Sequence, residues 1–260
     1  MKCRDILKRL FTLAPAENAE EWDNVGLLAG RPEKEVRRVY LAVDATDDVI
    51  EHAVSVKADL ILTHHPMIFK PMKTVTGDDF TGRRVMEIIR HDISYIALHT
   101  NFDVSCMGEL AAKKLKIKDG EVLCPLGGKG EADKGLGVIG NLAAPCTLGE
   151  CAELVKESFH IPHVRIYGDS DSLMERIAVL PGSGGSGIGA ALEKDADLYV
   201  TGDISHHQGL DALLQGLSVI DAGHYGIEKI FIGHMEGWFK ENLPDIKVYR
   251  EEINEPFITV

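Results

Sequence analysis

The sequence predicts an α/β fold built from two similar, interlocked lobes. Strand-like and helix-like segments alternate along most of the chain, which indicates substantial parallel pairing. A pattern in the first half also recurs in the second. Ala58-Asp59-Leu60 is followed by Thr63, and Ala196-Asp197-Leu198 by Thr201. Later, Ser94-Tyr95-Ile96-Ala97 leads to His99 and Asp103, as Ser218-Val219-Ile220-Asp221 leads to His224 and Glu228. The order and the separations are nearly equal, so an internal duplication is expected. Residues 1–125 with 225–260 would form one lobe and residues 126–224 the other. A site at the lobe junction follows naturally from such a plan.

Each element has a local cause. Ile6, Leu7, Leu10 and Phe11 recur at helical spacing, so residues 3–13 read as an amphipathic helix stopped near Pro15. Residues 37–43 read as a strand, followed by a helix opened at Thr46 or Asp47. Residues 59–63 and 94–98 read as strands, and 82–91 and 107–116 as helices. The stretch 118–135, rich in Gly, Lys and Asp, is the expected connection between lobes. Thr147 with Glu150 forms a capping box that opens a helix running to about Phe159. Strands are expected near 163–167, 175–180, 197–201 and 217–221, and helices near 186–194, 206–215 and 226–242.

Composition narrows the function. The chain has 260 residues, 45% hydrophobic and 27% charged. That is ample for a core without disulfides or a structural metal. The formal net charge of -13 argues against a general nucleic-acid or membrane-surface binder. No apolar run approaches a membrane span, and residues 1–15 lack the pattern of a signal peptide. The five cysteines are odd in number and contain no C-x-x-C, so reduced thiols in a cytoplasmic protein are expected.

The chemistry lies in the histidines, which number eleven. His64, His65, His99, His206, His207 and His224 all follow expected strands, at the edge where α/β proteins bind ligands. His64-His65-Pro66 places two imidazoles in the bend after a strand, an arrangement that also occurs in loop packing. His224 and Glu228 share one helix face at i and i+4, as ordinary surface pairs do too. Asp103 lies on the loop after residues 94–98. Together His64, His65, Asp103, His224 and Glu228 make a mixed nitrogen and oxygen ligand set for one or two divalent metals. A bridging carboxylate suits two-metal hydrolytic chemistry. Zinc, iron, manganese and nickel all fit such donors.

Six motifs taken together resemble one family. They are Trp22-Asp-Asn-Val-Gly26, Asp44-Ala-Thr46, Thr63-His-His-Pro66, His99-Thr-Asn-Phe-Asp103, Thr201-Gly-Asp203 and Asp221-Ala-Gly-His224 with Glu228. The combination resembles the dinuclear metal-centre family, which includes GTP cyclohydrolase 1 type 2 homologues and relatives of the NGG1-interacting factor. The resemblance covers residues 22–228. It implies two α/β lobes, two divalent metal ions per subunit on His64, His65, Asp103, His224 and Glu228, and a toroidal homohexamer. Residues 118–135 are too few to hold the domain inserted in longer members. The implied activity is metal-dependent hydrolysis of a nucleotide or another phosphorylated small molecule, with opening of the GTP purine ring as the specific version. A non-catalytic metal-binding or scaffold ring is the alternative.

The charge of two divalent ions exceeds what Asp103 and Glu228 return, so an anionic ligand suits the site. His99 is the candidate proton carrier, with Asp44 and Asp203 as candidate orienting groups; structural hydrogen bonding at strand ends is the other role open to these three. The glycine-rich residues 181–187 suit either a phosphate cradle or a tight turn. His206 and His207 suit a helix start better than a ligand pair. Trp22-Asp23-Asn24 could line the pocket or anchor the N-terminal segment.

Overall fold

A computed structural model describes residues 1–126, 134–253, 255, 257 and 258. In chain order its elements begin with α1 (Cys3–Leu13), β1 (Gly26–Ala29), β2 (Arg38–Ala42), α2 (Asp47–Ser55), β3 (Leu60–Thr63), α3 (Phe80–Arg90), β4 (Ser94–Ala97) and α4 (Thr100–Phe102). They continue with α5 (Gly108–Lys114), β5 (Lys118–Pro125), β6 (Gly135–Thr147), α6 (Leu148–Phe159), β7 (Arg165–Tyr167), β8 (Leu173–Ser183) and α7 (Ile188–Glu193). The last are β9 (Leu198–Gly202), α8 (His206–Leu214), β10 (Ser218–Asp221), α9 (His224–Glu228), α10 (Ile230–Asn242) and β11 (Lys247–Arg250). Two compact units result: one holds Met1–Phe102 and a return beginning at Phe231, the other Asp103–Ile230.

In the first unit a five-stranded sheet has the order β1-β4-β3-β2-β11. All pairs are parallel except β1 with β4. Every residue of β3 and β4 is buried, which accounts for their mainly apolar sequences. Tyr40, Ala42, Ile61, Tyr95 and Ala97 pack with Val49, Ile50 and Ala53 of α2 and Ile88 of α3. Thr46 caps α2 by accepting from Val49 N–H, and Asp79 caps α3 by accepting from Gly82 N–H.

The second unit has a six-stranded sheet of order β5-β6-β8-β9-β10-β7, in which β8, β9 and β10 are parallel. Period-two alternation divides its strands between two cores. Ile177, Val179, Leu198, Val200 and Ile220 pack against α6 through Leu148, Val155 and Phe159. Ala178, Leu180, Tyr199 and Val219 pack against Ala191 of α7 and Ala212 of α8. The capping box of Thr147 and Glu150 forms as expected.

Duplication is visible in the topology. The run β1-β4-β3-β2 in one unit has the same order and directions as β7-β10-β9-β8 in the other. Side chains repeat it. Asp59 Oδ2 accepts from the backbone of Arg37 and Arg38 at 2.9 and 3.0 Å, and Asp197 Oδ2 from that of Glu175 and Arg176 at 3.0 and 2.8 Å. Lys57 and Asp195, two residues before each aspartate, both take left-handed backbone angles, φ 56° and 55°.

Three local expectations need correction. Within the expected connection at 118–135, Lys118–Pro125 is the edge strand β5, paired with β6; residues 127–133 lie outside the described part. The expected helix 107–116 is preceded by a wide π-type segment over Asp103–Met107. The helix expected over 226–242 starts at His224 and is divided after Glu228.

Candidate metal centre

In the first unit, the residues after β3 are bent by a hydroxyl pair. The Thr63 hydroxyl lies 2.7 Å from the Tyr95 hydroxyl oxygen and donates to the His65 carbonyl at 2.7 Å. Met67 N–H donates to the same Tyr95 oxygen at 2.8 Å. In a regular strand neighbouring side chains would oppose each other. The bend instead brings the rings of His64 and His65 to 4.9 Å, with His99 5.3 and 5.5 Å from them. One ligand nitrogen from each of the three lies within 4.8 Å of the others. His64 is fully buried, against Phe102 and Phe231.

Each ring is held through Nδ1. His64 Nδ1 donates to the Leu98 carbonyl at 2.8 Å, His65 Nδ1 to Asp44 at 2.9 Å and His99 Nδ1 to Asp23 at 2.8 Å. Carbonyls and ionised carboxylates only accept, so Nδ1 of each ring carries a proton and is the donor. Metal-binding histidines are oriented in this way. Burial pushes the Asp23 carboxyl up, but hydrogen bonds from His99 and Thr100 and the charge of His99 outweigh it, holding the group at about 2. Asp23 therefore anchors this segment, and its exposed neighbour Trp22 rests edge-on against His99, 6.0 Å between centroids.

In the second unit, β10 ends at Asp221 and Gly223 turns the chain into α9. The His224 ring shows the same restraint: its Nδ1 donates to Asp203 at 2.8 Å, and its Nε2 lies 3.0 Å from Glu228. Glu228 is buried, and its carboxylate and that of Asp103 have oxygens within 4.8 Å of each other. Two carboxylates so close repel one another away from water, and a cation between them would relieve this. Gly182 has φ +84°, and a Cβ there would collide with Glu228 Oε1. The glycines of residues 181–187 are thus spacers: Gly184 and Gly187 back onto Tyr199, whose hydroxyl donates to the Gly184 carbonyl at 2.7 Å, and Gly185 meets Gln208. His206 and His207 open α8 behind a capping box of Ser205 and Gln208.

Imidazole Nε2 atoms and clustered carboxylates are chemically suited to a divalent first-row metal. Asp23 and the Leu98 carbonyl were not identified from the sequence as ring-holding groups. The recurring Asp–His pairs, Asp44 with His65 and Asp203 with His224, are the signal that extends to Asp23.

These units and clusters define an α/β protein with side chains able to hold a metal ion. A family model described as Duf34/NIF3 (NGG1p interacting factor 3) matches residues 1–256. A GTP cyclohydrolase 1 type 2 homolog from Clostridium perfringens is 33% identical over 263 residues, spanning 99% of both chains. One from Lactococcus lactis is 34% identical over 266 residues, with full coverage of both. The crystal structure of Staphylococcus aureus protein SA1388 is 30% identical, with a TM-score of 0.89 over 100% of this chain and 99% of its own. This chain belongs to the Duf34/NIF3 family.

Proposed function

We propose that the protein is a metal-dependent hydrolase acting on a nucleotide or another phosphorylated small molecule. His64, His65, Asp103, His224 and Glu228 would hold two divalent ions. The observation that carries the reading is the common restraint of His64, His65, His99 and His224, each with Nδ1 committed to an acceptor that fixes the direction of its ring. Bound metal would supply Lewis-acid activation of water and of the ligand's oxygens. The chain's own part is to orient and to move protons. Asp44 fixes the His65 ring and Asp203 the His224 ring. Asp23 fixes the direction of the His99 ring, from which Nε2 would take up a proton and return it to a leaving group. The names of the homologues from C. perfringens and L. lactis support opening of the GTP purine ring as the first reaction to try.

The assay is turnover of a nucleotide panel by metal-loaded protein, beside His99→Ala with its metal content measured. Loss of turnover with metal retained supports the hydrolase. No turnover by the parent protein with metal fully bound favours a binding or scaffold role. The toroidal homohexamer and cytoplasmic location implied by the resemblance belong to this proposal, and light scattering in reducing buffer tests the assembly.

A further inference from the structure

Beside His65 the first unit opens into a cleft of about 740 Å³, within the usual range for small-molecule sites. Asp44 and His65 line it together with Lys70, Lys73 and Arg84. In a chain of net charge -13 this concentration of cations is unexpected. The lining carboxylates are already engaged: Asp44 accepts from His65, and Asp79 caps α3. Asp47 takes Nε of Arg84 at 2.6 Å, which steadies the guanidinium 5.0 Å above the Phe80 ring. Among the described residues neither Lys70 nor Lys73 lies within ion-pair distance of a carboxylate. Phe69 also lines the cleft and meets Trp22 with centroids 5.6 Å apart, and both aromatic rings are about half exposed, at 47% and 56%.

We infer that this cleft is the subsite for the phosphate groups of a ligand that also carries a flat ring. Lys70, Lys73 and Arg84 receive the phosphates by charge-assisted hydrogen bonds. Phe69 and Trp22 offer the ring an apolar stacking surface. The cleft reaches His65, so an anion seated there is delivered to the histidine cluster. The inference deepens the proposed function and rests on it for the ligand's orientation, but phosphate binding by the cleft is measured separately from metal binding.

The experiment is calorimetric titration of full-length, zinc-loaded protein with inorganic pyrophosphate and, separately, with a nucleoside triphosphate. Lys70→Ala/Lys73→Ala is compared with the parent protein, and Lys70→Glu/Lys73→Glu serves as a second variant. All these positions are exposed, so folding should survive, and circular dichroism checks it. Pyrophosphate affinity should fall at least about tenfold in the alanine pair and further in the glutamate pair, with metal content unchanged. Phe69→Ala should weaken the nucleotide several-fold and leave pyrophosphate unaffected. Equal pyrophosphate affinity in parent and lysine variants, or no binding by the parent, would overturn the inference. An equal loss for both ligands in Phe69→Ala would overturn the stacking role. Failure of the metal reading looks different: His64→Ala/His65→Ala would keep its full metal content.

Discussion

Asp23 accepts the Nδ1 proton of His99 at 2.8 Å across 76 residues of sequence, and its side chain is wholly shielded from water. One carboxylate thus fixes both the tautomer and the direction of a ring in the histidine cluster. It also ties the N-terminal segment to the start of α4, since Thr100 N–H donates to its other oxygen at 3.0 Å.

A pH dependence follows. The Asp23 carboxyl is held at about 2, below its ordinary value near 3.8. The unfolded chain therefore binds this proton more tightly than the folded one. The stabilisation is fully present above pH about 4 and is lost as pH falls towards 2; it amounts to about 2 kcal/mol. Urea unfolding of the parent protein and Asp23→Asn across that window should show a flatter acid limb in the variant. Parallel curves would show that Asp23 gains nothing from its partners on folding.

Tyr95 has a comparable structural role for the bend after β3. Its hydroxyl contacts Thr63 and receives Met67 N–H in a fully buried position. Tyr95→Phe removes that acceptor with little change in volume and should destabilise the fold by about 1–3 kcal/mol. Metal affinity should fall as His64 and His65 lose their fixed spacing. An unchanged urea midpoint would count against this role.

Glu228→Gln should lower metal content more than Asp203→Asn. The first change removes a buried charge from the proposed ligand set, and the second loosens only the ring of His224. Elemental analysis of the two proteins, prepared side by side, decides; equal loss would mean that the two roles are wrongly divided.

Gly182→Ala probes the same carboxylate from behind. Its φ of +84° disfavours any side chain, and the new methyl group would push on Glu228. The fold should lose at least about 1 kcal/mol, and metal should be released at lower chelator concentration. Unchanged melting temperature and metal retention would show that the turn adjusts freely.

The sequence revealed those parts of the fold whose causes are local. The helix Cys3–Leu13 carries its own apolar stripe, and Thr147 with Glu150 marks the start of α6 unaided. The strand β5 was hidden because most of its residues face solvent and it is defined by pairing with β6. The short exposed strand β11 was missed for the same reason, since its partner β2 lies some two hundred residues earlier. At the candidate site the imidazoles stand out as residue types after strands. Their Nδ1 partners do not, because a backbone carbonyl has no residue type and Asp23 reaches His99 only through the fold.

The repeated βαβαβ plan makes the molecule its own control. Asp59 and Asp197 hold equivalent backbone amides in two surroundings, so one substitution, made once in each copy, compares the worth of a single contact against different neighbours. At the strand ends the copies part company: His64-His65 stands where the other copy has Gly202-Asp203. Exchanging those two dipeptides would ask how far a strand end can be rewritten while the framework beneath it stays the same.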